Sequence, residues 1–275
     1  MKRTFLWAAL LLNGTAPALA CTGISFTARD GAFVTARTIE WGESPLPSGY
    51  VVIPRQHETV SYTPTGANGL SFRAKYGAVG LTIVREEFIA EGINEAGLSA
   101  GLFYFPHYGK YPAYDSTRTL SDLQYVAWIL SQFSSVDEVK AATQTVRVVS
   151  IDPSVGSTVH WRIADASGKQ VVLEFIDGEP RFYDNEVGVL TNSPDFPWQI
   201  TNLNNYVNLH PGNAEAQRIG NVRIFPFGAG SGFLGIPGDV TPPSRFVRIA
   251  FYKATAPECE TGLDAELQSF HIMNN

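Results

Sequence analysis

Ala18-Leu19-Ala20-Cys21-Thr22-Gly23-Ile24-Ser25-Phe26-Thr27 joins the end of a short apolar leader to the start of an alternating, strand-like run. Upstream, Lys2 and Arg3 form a positive head, Phe5 to Leu12 an apolar stretch, and Ala18-Leu19-Ala20 a small-x-small cleavage site. Those three parts in that order make a secretory signal peptide, so residues 1–20 are expected to be removed and 21–275 to form one domain. The apolar stretch is too short to cross a bilayer, which takes about 20 residues, and no later run is longer. The mature chain is therefore expected outside the cytoplasm, periplasmic or secreted, with no membrane span. Cleavage after Ala20 would leave Cys21 with a free α-amine beside its thiol.

Two other fates for Cys21 follow from the same residues. A lipoprotein signal would acylate it, although such signals favour a large aliphatic residue three places before the cysteine, where this chain has Ala18. Alternatively Cys21 and Cys259, the 2 cysteines present, form one disulfide in an exported protein. A bridge to the first mature residue would restrain little beyond a terminus.

Working outward, 22–28 and 33–37 predict two strands around the Arg29-Asp30-Gly31 turn. Further strands are expected near 50–54, 70–74, 80–84, 88–94 and 98–105. From Ser121 to Phe133, the spacing of Leu123, Val126, Ala127, Leu130 and Phe133 predicts an amphipathic helix. A second helix starts at the capping box Ser135-Val136-Asp137-Glu138. Strands resume as a meander over 159–164, 170–176, 181–183 and 187–191. Helices are predicted over 201–207, 244–252 and 263–273, with a Gly-rich loop at 227–239. This order describes an α+β protein of antiparallel sheets covered by helices.

Composition narrows the function. Without Lys2 and Arg3 the basic residues fall from 20 to 18 against 26 acidic ones, a net charge of −8. An acidic surface disfavours nucleic acid and anionic membrane as partners. Charged residues at 17% and aromatics at 12% fit a packed globule and not a disordered chain. The 5 histidines lack metal-ligand spacing, so no metal is expected. Gly228-Ala229-Gly230-Ser231-Gly232 is neither a nucleophile elbow nor a phosphate loop.

Cys21 remains. An α-amine titrates at about 8 and a thiol at about 8.5, so one residue would carry both a nucleophile and its proton acceptor. Such a site further needs a cation near the thiolate, an anchor for the amine and a donor for an oxyanion.

Five stretches resemble one family in the same order: Cys21-Thr22-Gly23, Arg37-Thr38-Ile39-Glu40-Trp41, Glu91-Gly92-Ile93-Asn94-Glu95-Ala96-Gly97-Leu98, Gly188 to Pro194, and Pro242 to Arg248. The sequence resembles the choloylglycine hydrolase family of bile salt hydrolases and penicillin V acylases. The resemblance implies a four-layer αββα N-terminal-nucleophile hydrolase that acts on small N-acyl amides, uses no cofactor and assembles as a homo-tetramer. It implies Cys21 as nucleophile and base, Arg37 beside the thiol, and Glu40 in place of an aspartate that anchors the amine. Asn192 would be the oxyanion donor and Arg245 part of the charged network. Tyr104 is the expected counterpart of a further oxyanion-hole residue. Trp41, Phe103 and Phe105 are expected to form an aromatic acyl pocket.

The signal and the Glu40-Trp41 and Pro242-Pro243 variants favour penicillin V or an N-acyl homoserine lactone as substrate, with a bile salt as the alternative. An inactive or lipid-anchored binding protein is the alternative of another class. Family members usually continue beyond Phe270-His271-Ile272. The end at Asn275 implies that the last strands are missing or that the sheet closes differently.

Overall fold

The computed structural model describes residues 20–40, 46–116 and 118–274. The leader up to residue 19 and Trp41 lie outside the described residues.

The first alternating run becomes strands β1 (Ala20–Thr27) and β2 (Phe33–Glu40). Gly31 turns between them at φ +87°, a region that glycine enters without a Cβ clash. Their antiparallel register sets Cys21 opposite Ile39 and Gly23 opposite Arg37. The chain continues through β3 (Ser48–Ile53), the short pair β4 (Glu58–Val60) and β5 (Ser71–Arg73), then β6 (Ala78–Ile83), β7 (Arg85–Asn94) and β8 (Ser99–Tyr104).

After β9 (Thr119–Ser121) come helices α1 (Tyr125–Gln132) and α2 (Val136–Thr143). The α-helix starts later than predicted because Ser121 belongs to β9 and caps a 3-10 turn, Asp122–Gln124. Ser135 caps α2 as predicted, its side chain accepting from Glu138 N, whereas the Glu138 carboxylate reaches back to Ser134 N. Next, β10 (Arg147–Val149) pairs in parallel with β9.

The meander comprises β11 (Val159–Ala164), β12 (Gln170–Ile176) and β13 (Glu179–Asp184). Its expected fourth strand, β14 (Val189–Leu190), leaves that sheet and pairs with β1. That departure carries the chain from one sheet to the other immediately before Asn192. Helix α3 (Phe196–Asn202) starts ahead of the predicted 201–207, capped by Asp195 with a proline in its first turn. A hairpin of β15 (Gln217–Ile219) and β16 (Val222–Ile224) precedes α4 (Pro242–Thr255) and α5 (Gly262–Met273).

Two sheets form the middle of the molecule. One runs β13-β12-β11-β8-β7-β6-β3 and the other β14-β1-β2. Helix α1 packs on β7 and β8, whereas α4 packs on β1 and β14 and α5 on β1 and β2. The sheets meet where Gly23 lies on Phe103; a Cβ there would come within 2.6 Å of the ring. The order is helix, sheet, sheet, helix, the αββα arrangement. One apolar core fills the space between the larger sheet and α1 and α2. The other links Cys21 and Phe103 to Ile24, Phe246 and Ile249.

Candidate active site

Cys21 is 7% exposed near the start of β1. Its backbone nitrogen donates to Asn192 Oδ1 at 2.9 Å, and its carbonyl accepts from Arg245 Nη1 at 2.6 Å. With Ala20 still attached, that nitrogen is a peptide nitrogen without a basic lone pair.

Three elements deliver the partners. Asn192 follows β14, and its Oδ1 also accepts from Arg245 Nη2 at 2.8 Å, while its Nδ2 donates to the Tyr104 carbonyl at 2.7 Å. Donors on one side and an acceptor on the other fix the orientation of the carboxamide. Arg245 stands in the first turn of α4 and also donates to Thr22 Oγ1 (2.6 Å) and the Val240 carbonyl (3.0 Å). Only a guanidinium fork presents donors in so many fixed directions. Burial pulls the Arg245 guanidinium down, and the charges of Glu40 and Cys21 act the other way.

The β1–β2 register makes Arg37 a diagonal neighbour of Cys21 on one sheet face. Its side chain is 6% exposed and lies 4.2 Å above the centre of the Phe103 ring. Its Nη1 donates to the Leu102 carbonyl at 2.6 Å and the Ala90 carbonyl at 3.0 Å, and lies 3.6 Å from Glu91 Oε2. Arg162, fully buried on β11, bonds the other oxygen of Glu91. Burial pulls Arg162 down too, with Glu91 opposing. Gly101 makes the space, since a Cβ there would fall 1.9 Å from Glu91 Oε2.

Some expected positions differ. Glu40 does not contact the Cys21 nitrogen: it lies opposite Ala20, exposed, and accepts from the Thr38 hydroxyl at 3.0 Å. Phe103 and Phe105 are fully buried and do not line an open acyl pocket. Phe103 packs on Gly23 beneath Arg37, and Phe105 stacks on His160 at 4.4 Å. Tyr104 is half-buried and reaches the site through its carbonyl. Trp41, the third expected pocket residue, lies outside the described residues. Cys21 and Cys259 are both free thiols, so the disulfide alternative is not formed. A cavity of about 760 Å³ opens at the far end of β1 beside Ser25, Thr27, Lys253 and Cys259; Cys21 is not in its wall. Among the described residues, no group of three or more His, Cys, Asp or Glu could hold a metal.

Sequence reasoning missed Arg162, His160 and Glu174 and gave Glu91 no role. The signal was present in Val159-His160-Trp161-Arg162-Ile163, where charged and bulky apolar residues alternate within one strand.

A strand-borne cysteine at the head of an αββα sandwich, with an asparagine and an arginine bonded to it and a second arginine diagonal to it on the sheet, defines the N-terminal-nucleophile hydrolase architecture. The chain belongs to the linear amide C–N hydrolases of the choloylglycine hydrolase family, whose model matches residues 21–275. The bile salt hydrolase/transferase of Clostridium perfringens is 33% identical over 262 residues, covering 93% of this chain and 78% of that protein. A mutant of conjugated bile acid hydrolase from Clostridium perfringens superposes with TM-score 0.78 at 30% identity, over 92% of this chain and 78% of the other. Penicillin V acylase from Agrobacterium tumefaciens gives TM-score 0.74 at 25% identity, over 92% and 71%.

Proposed function

We propose that the chain, cut after Ala20, hydrolyses the amide of a small N-acyl compound with Cys21 as nucleophile. The carrying observation is that both ends of the Cys21 peptide unit are tied to Asn192 and Arg245. Cleavage turns the bonded peptide nitrogen into an α-amine already facing Asn192 Oδ1. The amine accepts the thiol proton, and the thiolate attacks the substrate carbonyl carbon. Asn192 Nδ2 has two hydrogens; Tyr104 takes one, and the second serves the oxyanion. Collapse breaks the C–N bond, the amine product leaves with the proton, and a thioester remains. Water, deprotonated by the α-amine, then releases the acid. Arg37 favours the thiolate by its charge, and Arg245 holds the strand that carries it. No metal or organic cofactor takes part.

Residues 1–20 serve as an export signal, so the same cut exports the protein and makes its catalyst. For the substrate, the similarity reverses the order expected from sequence. The conjugated bile acid hydrolase lies nearer than penicillin V acylase in both identity and superposition, which favours conjugated bile salts. The deciding experiment is amine release by the chain starting at Cys21 from glyco- and tauro-conjugated bile salts, penicillin V and acyl homoserine lactones. Turnover of bile salts above the other two supports the assignment; no release from any of them rejects it.

A further inference from the structure

One ionisable pair between the sheets has no part in that chemistry. His160 on β11 pairs with Phe103 on β8, and the β11–β12 register pairs Trp161 with Leu173 one step along. This puts Phe103, His160 and Glu174 in one row across three strands. His160 and Glu174 are both fully buried, with Nδ1 3.0 Å from Glu174 Oε1. Stacking on Phe105, with ring planes 8° apart, holds the imidazole in place.

Each partner grips one end of the segment that carries Asn192. His160 Nε2 lies 3.1 Å from the Thr191 carbonyl oxygen, and Glu174 Oε1 accepts from Phe196 N at 2.9 Å. A carbonyl only accepts, so Nε2 carries a hydrogen. Nδ1 faces a carboxyl oxygen, so a second hydrogen lies between them. Whichever atom holds it, the pair is neutral overall, the state in which two ionisable groups are tolerated at full burial.

We propose that His160 and Glu174 are positioning residues for the amide hydrolysis assigned above, on which this inference rests. They fix the Thr191–Asn192 backbone so that the carboxamide meets the Cys21 nitrogen and the reacting oxygen. Neither side chain touches the reacting atoms. The Asn192 carboxamide is already held by Cys21, Arg245 and Tyr104, and the Asn192 backbone carbonyl by Gln199 Nε2 at 3.3 Å. Without His160 the Thr191 carbonyl loses its donor, and the preceding peptide is held through the Thr191 hydroxyl, which donates to the Pro242 carbonyl at 3.1 Å. A displacement of about 1 Å at a catalytic group costs on the order of 10²-fold in rate.

The test uses the chain starting at Cys21 and two amide replacements. The side-chain nitrogen of Gln reaches the place of Nε2, whereas that of Asn reaches only the place of Nδ1. H160Q therefore keeps a donor for Thr191, and H160N keeps one for Glu174 alone. Kinetics are normalised to Cys21 titrated by alkylation. The expected kcat is within about 3-fold of the parent for H160Q and on the order of 10- to 100-fold lower for H160N, with KM within about 2-fold in both. Hydrogen exchange over residues 191–199 quickens in H160N and not in H160Q.

Equal kcat in the two variants, whether retained or lost in step with Tm, overturns the proposal. Should H160N fail to fold, Glu174→Gln against Glu174→Met carries the contrast at the other end of the segment, because Gln keeps an oxygen at the place of Oε1 to accept from Phe196 N and Met does not. A parent chain that hydrolyses no N-acyl amide overturns the hydrolase assignment instead. That result appears before any variant is made, and the exchange measurement still decides whether the pair holds the segment.

Discussion

Trp161 and Arg162 are neighbours on β11, both fully buried, and they enter different chemistries. Trp161 points toward the helices, into a layer of Leu102, Ile163, Leu173, Ile129 and Leu130. Arg162 points between the sheets, where Glu91, Arg37, His160 and Glu174 lie. The helix-side layer is mainly apolar, and its burial helps to hold the fold. The intersheet layer contains charges that cost free energy to bury, and it leads to Cys21. Equal exposure thus conceals opposite roles, and substitutions should separate them.

The largest separation is expected at the nucleophile. Cys21→Ala should lower amide hydrolysis by on the order of 10⁴-fold or more, while Tm moves by only a few degrees. Residual turnover near the parent rate would remove Cys21 from the mechanism. Next comes Glu91→Gln, which leaves Arg37 and Arg162 without their shared anion. Breaking a buried ion pair costs about 3–5 kcal/mol, so urea unfolding should shift by that amount and kcat should fall with it. A variant as stable as the parent would mean that water, and not Glu91, carries the balance of charge.

On the helix side the expected pattern inverts. Ile129 in α1 is fully buried in the helix-side core. Ile129→Ala should cost about 2–5 kcal/mol through lost burial and a residual cavity, with kcat per folded molecule unchanged. A large loss of kcat in the still-folded fraction would show that the two layers are coupled.

The same comparison explains which parts could be read from sequence. Sheets covered by helices were legible because apolar stripes such as Val126, Ala127 and Leu130 keep the 3.6-residue period, whereas the four-layer αββα order came from the resemblance. Cys21, Arg37, Asn192 and Arg245 were legible as residue types in order, and the fold brings Asn192 and Arg245 onto Cys21. The intersheet network was not. Alternation in Val159–Ala164 says that two faces differ; it does not say that the polar face is buried under a second sheet. Phe103 and Phe105 were misplaced for a related reason, since an aromatic residue near a nucleophile can line a pocket or pack beneath it. Glu40 was placed by its position in the family resemblance, whereas its place in the fold is set by pairing with Ala20.

A buried acid on the helix side gives the smallest expected effect. Asp122, on the turn leading into α1, is 4% exposed and accepts from Leu123 N at 2.9 Å and Ile151 N at 3.3 Å. Burial pushes its carboxyl up from 3.8 to about 6, against the pull of those donors and of the Ser121 and Tyr111 hydroxyls. The folded state therefore binds this proton more tightly than the unfolded chain does. The resulting stability is fully present below about pH 3.8, declines as pH rises through about 6, and is absent above it. The difference amounts to about 3 kcal/mol at most. In Asp122→Asn, Oδ1 still accepts both backbone donors but nothing titrates. Urea unfolding of parent and variant from pH 4 to 8 should show the parent losing stability relative to the variant as pH rises through 6. Because other titrating groups cancel in that difference, a flat difference would mean that Asp122 ionises without penalty, and that water reaches its buried carboxyl.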